Sequence, residues 1–107
     1  MALLSRTKSR DLAELEKKAG DAARLMRMLA NEQRLLILCR LAAGGEMSVG
    51  ELVEAGDLGQ SALSQHLAKL REEGLVATRR DAQTIHYRIG DRRAARVLAL
   101  LKDIYCP

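Results

Sequence analysis

Cys39, Cys106, His66 and His86 carry the sulfur and imidazole atoms from which redox, metal or nucleophilic chemistry could be built in this chain. Their spacing narrows the choice. No Cys-x-x-Cys occurs, and no base stands in a recognisable nucleophile arrangement, so the sequence argues against an enzyme. Two thiolates alone make a poor tetrahedral zinc site. His86 falls in a strand-like segment and reads as structural or phosphate-facing. The cysteines stay open to two readings. A cysteine on an apolar helix is often only a small hydrophobe, and Cys106 can be incidental. In a reducing compartment, however, paired cysteines serve redox or metal chemistry more often than a lasting structural disulfide. Such a compartment is expected. Met1 to Leu4 is too short for a signal peptide, and no stretch nears the roughly 18 apolar residues of a membrane helix. A cytoplasmic protein with no membrane partner, no cofactor and no bound metal is therefore expected.

A second kind of chemistry, hydrogen bonding to base edges, is legible in Gln60-Ser61-Ala62-Leu63-Ser64-Gln65-His66-Leu67-Ala68-Lys69-Leu70. At the helical period Leu63, Leu67 and Leu70 share one stripe. Ser61, Gln65, Ala68 and Lys69 face the other way, flanked by Ala62 and Ser64. That outward face is slim and polar at its start and basic at its end, so it can enter a major groove and bond to bases. An ordinary amphipathic surface helix would look the same in isolation, and the flanking segments decide between them. Ser48-Val49-Gly50-Glu51 is a capping-box pattern opening a short helix, Val49 to about Ala55. Gly56 and Gly59 bracket a turn, and Gly74 ends the long helix. Leu75 to Arg80 and Thr84 to Ile89 read as two strands around Asp81-Ala82-Gln83. Helix, turn, helix and basic hairpin together make a winged helix.

The remaining segments must hold this unit. Met1 to Ser9 reads as a loose arm. Asp11 to Ala19 is expected as a helix ended by Gly20. A second helix carries the stripe Ala22, Leu25, Met26 and Leu29. Asn31 caps a third, Glu32 to about Ala43, whose apolar residues run round nearly its whole circumference, so it is expected to be buried and central, Cys39 with it. Gly44-Gly45 ends it. Gly90-Asp91 caps a last helix, Arg92 to about Tyr105, with Ala94, Val97, Leu98, Leu101, Ile104 and Tyr105 in one stripe and Ala95 and Leu100 off it. The expectation is one mainly α domain over residues 1–107, of about six helices plus two antiparallel strands. With 48% apolar residues and only two aromatics, such a chain gains from dimerisation, and the first and last helices are expected to form the interface. The net charge of +4 permits nucleic-acid binding without requiring it. Its distribution says more: from Arg71 to Arg96 seven Arg stand against four acids, which puts the excess on the wing.

The segments Ala30-Asn31-Glu32-Gln33-Arg34-Leu35, Ser48-Val49-Gly50-Glu51-Leu52, Gln60 to Leu67 and Gln83-Thr84-Ile85-His86-Tyr87 resemble the ArsR-type winged-helix repressors, over roughly Ala22 to Pro107. The resemblance implies a homodimer that binds double-stranded operator DNA in one state and leaves it in another. Ser61, Ala62, Ser64 and Gln65 would then touch bases, and Gln60 and Lys69 would hold phosphates. Arg79, Arg80 and Gln83 in the wing would meet backbone or minor groove. Metal-sensing members of the family carry a Cys-x-Cys-type pair where this chain has Met47-Ser48-Val49-Gly50. Others carry an Asp-x-His pair where it has Asp91-Arg92-Arg93. A metal- or metalloid-responsive repressor therefore stands as the alternative. Leu38-Cys39-Arg40-Leu41 and Ile104-Tyr105-Cys106 instead resemble the dithiol, persulfide- and redox-responsive branch of SqrR, BigR and HlyU. That resemblance implies that reactive sulfur species or oxidants join Cys39 to Cys106, by a disulfide or a longer sulfur bridge, and that operator affinity then falls.

Overall fold

The computed structural model describes residues 9–106. Its elements are α1 (Ser9–Lys17), α2 (Ala19–Leu29), α3 (Glu32–Gly44), β1 (Met47–Ser48), α4 (Val49–Ala55), α5 (Gln60–Glu72), β2 (Val76–Asp81), β3 (Thr84–Ile89) and α6 (Arg92–Tyr105). The expected N-terminal arm lies outside the described residues apart from Ser9, which already opens α1.

Local chemistry sets most of the boundaries. Asn31 caps α3, its Oδ1 accepting the Arg34 N–H at 3.0 Å. Ser48 and Glu51 form the reciprocal capping box that starts α4, at 2.9 and 3.2 Å. The end of α5 is a Schellman turn. The Leu75 N–H reaches the Leu70 carbonyl at 2.9 Å, and the Gly74 N–H reaches Arg71 at 3.0 Å. Gly74 holds φ +79°, where an L side chain is strained, and Leu75 lands in the core beside Leu70. Asp91 starts α6 by accepting from Arg93 and Ala94 N–H at 2.7 and 3.1 Å.

The core gathers one stripe from each element: Met28 and Leu29 from α2, Ile37, Leu38 and Leu41 from α3, Leu52 from α4, Leu63, Leu67 and Leu70 from α5, then Leu75, Val76, Ala94 and Leu98. The sheet has the order β1-β3-β2 and is antiparallel throughout. Asp81 and Thr84 close a two-residue turn, in which Ala82 takes the left-handed φ of +55°.

Several expectations need correction. The hairpin is joined by a third strand, because Met47 and Ser48 pair with Tyr87 and His86. Gly20 does not end the first helix. The break falls at Lys18, and Gly20 sits in the first turn of α2. In α2 the inward residues are Met28 and Leu29 with Leu25 beside them, so Met26 points out and is 57% exposed. In α6 only Ala94 and Leu98 are fully buried. Ile104 and Tyr105 run past the edge of the core and are exposed. The central helix is also not sheathed on all sides. Ile37, Leu38 and Leu41 face the core, while Leu36, Cys39, Ala42 and Ala43 form a bare side. An apolar circumference shows what could be covered, and among the described residues nothing covers that side.

Candidate DNA-binding face and thiol pair

The recognition candidate α5 is fastened by Leu63, Leu67 and Leu70, each nearly inaccessible. That anchoring turns Gln60, Ser61, Ser64, Gln65 and Lys69 to solvent, with Ala62 half-buried at the margin. Gly59 begins the helix without a side-chain cap, so its first N–H groups stay open to an outside acceptor such as a phosphate. The preceding turn is held from below. A Cβ on Gly56 would stand 2.6 Å from Nη1 and 3.0 Å from Cζ of Arg40, so a side chain there would push that guanidinium aside. Arg40 of α3 thus rests on the joint between α4 and α5.

In the wing, Arg80 and Gln83 are exposed at its outer end. Arg79 is engaged instead. Its Nε lies 3.1 and 3.2 Å from the two oxygens of Glu46, and its Nη2 donates to Oε1 at 2.8 Å. That hydrogen bonding holds the Glu46 carboxyl below the usual carboxylate range. Glu46 went unremarked in the sequence, where nothing marks a partner 33 positions from Arg79. His86, half-buried in β3, stands opposite Ser48 on one side and Arg79 on the other. His66 is half-buried on α5.

Cys39 and Cys106 are both free thiols, and both are exposed. The exposure of Cys39 corrects the expectation of burial, since it lies on the bare side of α3. Its pKa is nevertheless raised. Loss of hydration against its protein flank is the main cause, the neighbouring Arg40 guanidinium opposes it, and the charge of Cys106 raises it further. Helices α3 and α6 pack together, and Cys106 follows directly on α6. Among the described residues, no three His, Cys, Asp or Glu side chains gather as metal ligands would. No described helix is long and apolar enough to cross a membrane.

A short capped helix, a tight turn, a second helix with a slim polar face and a basic hairpin define a winged helix-turn-helix DNA-binding protein. Residues 31–78 match the family described as "Bacterial regulatory protein, arsR family". The chain belongs to that family of DNA-binding transcriptional regulators, which are not enzymes. It is 44% identical over 97 residues to the HTH-type transcriptional regulator YgaV of Escherichia coli K12, covering 91% of this chain and 98% of YgaV. Reduced HlyU from Vibrio cholerae N16961 superposes with a TM-score of 0.81 at 48% identity, over 88% of this chain and 98% of that one. The transcriptional repressor BigR from Xylella fastidiosa gives 0.82 at 41%, over 89% and 96%. HlyU and BigR are two of the names that the cysteine-bearing segments suggested.

Proposed function

We propose that the chain is a homodimeric, cytoplasmic repressor that grips operator DNA while Cys39 and Cys106 are free thiols and lets go when they are joined. The observation that carries this reading is the pair itself: two exposed thiols, one on α3 and one directly after α6, on two helices that pack together. The chemistry balances for either inducer. An oxidant takes two electrons and two protons as the disulfide closes. Alternatively a persulfide donor passes its outer sulfur to one thiol, and attack by the second thiolate expels sulfide. A further sulfur transfer before closure leaves a trisulfide. A relative in the reduced form, HlyU, is consistent with a redox-defined state.

Dimerisation is supported by apolar surface left exposed among the described residues: Leu12 and Leu15 on α1, and Leu100, Ile104 and Tyr105 on α6. A two-fold pair would set two copies of α5 roughly 34 Å apart, one per successive major groove. Ser61, Ala62, Ser64 and Gln65 read bases, Gln60 and Lys69 hold phosphates, and Arg80 and Gln83 with Arg79 serve the wing contact. Joining Cys39 to Cys106 ties α3 to the end of α6. Arg40, next to Cys39, carries a displacement of α3 to the turn at Gly56, and the paired helices lose their spacing. A coupling of about 1–3 kcal/mol would be ordinary for such a switch.

The test is fluorescence anisotropy on operator DNA with intact-mass analysis, before and after glutathione persulfide and after peroxide. Wild type is expected to release DNA as its mass reports a bridge, by loss of two hydrogens for a disulfide or by retained sulfur for a longer one. Cys39→Ser and Cys106→Ser are each expected to bind DNA and ignore the inducer. Release by either single variant would remove the thiol pair as the switch.

A further inference from the structure

Beside the end of the recognition helix, α2, the last turn of α5 and the first turn of α3 border a cleft of about 310 Å³ lined by Arg24, Arg27, Met28, Arg34, Lys69 and Glu73. Four cations there face one carboxylate. Arg24 is drawn toward Glu73 at 3.9 Å, a loose pair in which Arg24 is exposed and Glu73 half-buried. Arg34 is fixed at the floor, its Nε on the Met28 carbonyl at 2.9 Å and its Nη2 on that of Arg27 at 3.3 Å. Among the described residues Arg27 and Lys69 form no ion pair. Cations near helix C-termini are favourable for the helices themselves. That accounts for Arg27 and Lys69 singly but not for the convergence of four cations on one concavity. The adjoining cleft, lined by Asp21, Glu72 and Glu73 beside Arg24 and Arg93, carries no such excess.

We infer that this cleft is a second phosphate site, which grips the sugar–phosphate backbone of the operator where α5 leaves the major groove. The inference rests on the operator-binding reading of α5. Lys69 lies on the same face as Ser61 and Gln65, two turns and one turn further along. A helix of 13 residues is about 20 Å long. Laid across a major groove about 12 Å wide and about 8.5 Å deep, α5 is longer than the groove, and its last turn passes the strand that borders it. Lys69 then stands at the phosphates, and the Arg27 and Arg34 guanidinium groups continue the same positive surface onto α2 and α3. The ligand is a phosphodiester, bound by charge and without sequence preference.

The test is the salt dependence of binding, between about 50 and 200 mM, to a duplex that the wild-type chain has selected from a random-sequence pool. Arg27 is exposed, so its replacement leaves the core intact. Arg27→Gln is expected to weaken binding at low salt and to lower the slope of log affinity against log salt by about 0.9, which is about 3-fold in affinity across that range. Arg27→Lys is expected to keep both, and Lys17→Gln, on α1, to change neither. An unchanged slope in Arg27→Gln, or an equal loss in Lys17→Gln, overturns the site. So does an unchanged slope accompanied by shifts of the Arg27 and Lys69 NMR signals on adding inorganic phosphate, since the cleft would then take a free anion. Absence of selective duplex binding by wild type would remove the operator reading as well, whereas intact wild-type binding that Arg27→Gln does not alter removes the cleft alone.

Discussion

Arg79 and Glu46 clasp each other across the base of the wing, with Nη2 2.8 Å from Oε1 and Nε 3.1 Å from the same oxygen. On the proposed wing contact, the Glu46 carboxylate would compete with a DNA phosphate for Arg79. Both side chains are part-exposed, so the contact adds little to stability. Glu46→Gln keeps the shape, removes the competing charge and frees Arg79. Tighter operator binding is expected, with a salt slope steeper by up to about 0.9 and a nearly unchanged melting temperature. A slope identical to wild type would mean that Arg79 never reaches a phosphate.

Gln65 is the long polar side chain at the middle of the exposed face of α5, and it can pair bidentately with an adenine edge. Gln65→Ala should cost about 1–3 kcal/mol in specific binding and relax the preference at one base position. Its salt slope should stay at the wild-type value, because no phosphate contact is lost. Fluorescence anisotropy across single-base operator variants separates this outcome from a uniform loss, which would assign Gln65 to the backbone.

The recognition unit was legible because each of its joints is a local event. Ser48 with Glu51, Asn31 with the Arg34 N–H, and Gly74 after Leu70 are each fixed by chemistry within a few residues, and each formed. The stripe Leu63, Leu67 and Leu70 likewise depends only on helical period. What escaped depends on distant partners. Met47–Ser48 is too short to show a strand period, and only Tyr87 and His86 make it one. Glu46 acquires a role only through Arg79. The bare sides of α3 and α6 could not be told from buried ones, because Leu36, Ile104 and Tyr105 are apolar whichever neighbour covers them. The positions of Gln60, Gln65 and Lys69 on one exposed face followed from spacing alone, whereas the convergence of Arg27 and Arg34 on Lys69 required the packing of three helices.

Asp91 ties acid sensitivity to α6. Its carboxylate accepts two backbone N–H bonds and the Arg93 guanidinium at 2.9 Å, and that guanidinium chiefly holds its pKa below the usual range, the backbone bonds adding to it. A depressed carboxylate stabilises the fold above its unfolded pKa of about 3.9, and the gain is lost as pH falls through the lower, folded value. Asp91→Asn keeps a capping oxygen without the charge. It is expected to melt below wild type at neutral pH and to converge with it in strong acid. Asp91→Ala loses the cap as well and should cost about 1 kcal/mol more generally, at either pH. A constant gap between wild type and Asp91→Asn at all pH values would detach the charge from stability.

Gly90 shows why the wing and α6 meet so closely. A Cβ there would stand 2.9 Å from the Ala77 nitrogen and 3.0 Å from the Val76 carbonyl carbon, both strand backbone that cannot step aside. Its own N–H is meanwhile held by the Leu75 carbonyl at 2.8 Å. Gly90→Ala should therefore lose about 1–3 kcal/mol through overpacking. Gly20 in α2 has nothing within 4 Å of the same added atom, so Gly20→Ala is expected to gain up to about 1 kcal/mol from the helix preference of alanine. Thermal denaturation of the two variants should move in opposite directions. A stable Gly90→Ala would mean that the hairpin can slide away from the start of α6.

The thiol switch should carry a pH signature set by Cys39. Only the thiolate attacks a sulfur or an alkylating agent, and loss of hydration keeps Cys39 protonated to higher pH than a free cysteine. Below its pKa the thiolate fraction falls tenfold per pH unit, so alkylation of Cys39 by iodoacetamide at neutral pH should be slower than that of a small free thiol and should climb as pH rises. Arg40 lowers the pKa and Cys106 raises it. Arg40→Gln should accordingly shift the pH–rate curve toward higher pH, and Cys106→Ser toward lower pH. Peptide mass mapping of the labelled residue gives both curves. Coincident curves for the two variants and wild type would show that neither charge reaches the Cys39 sulfur, and would leave the pairing without electrostatic support.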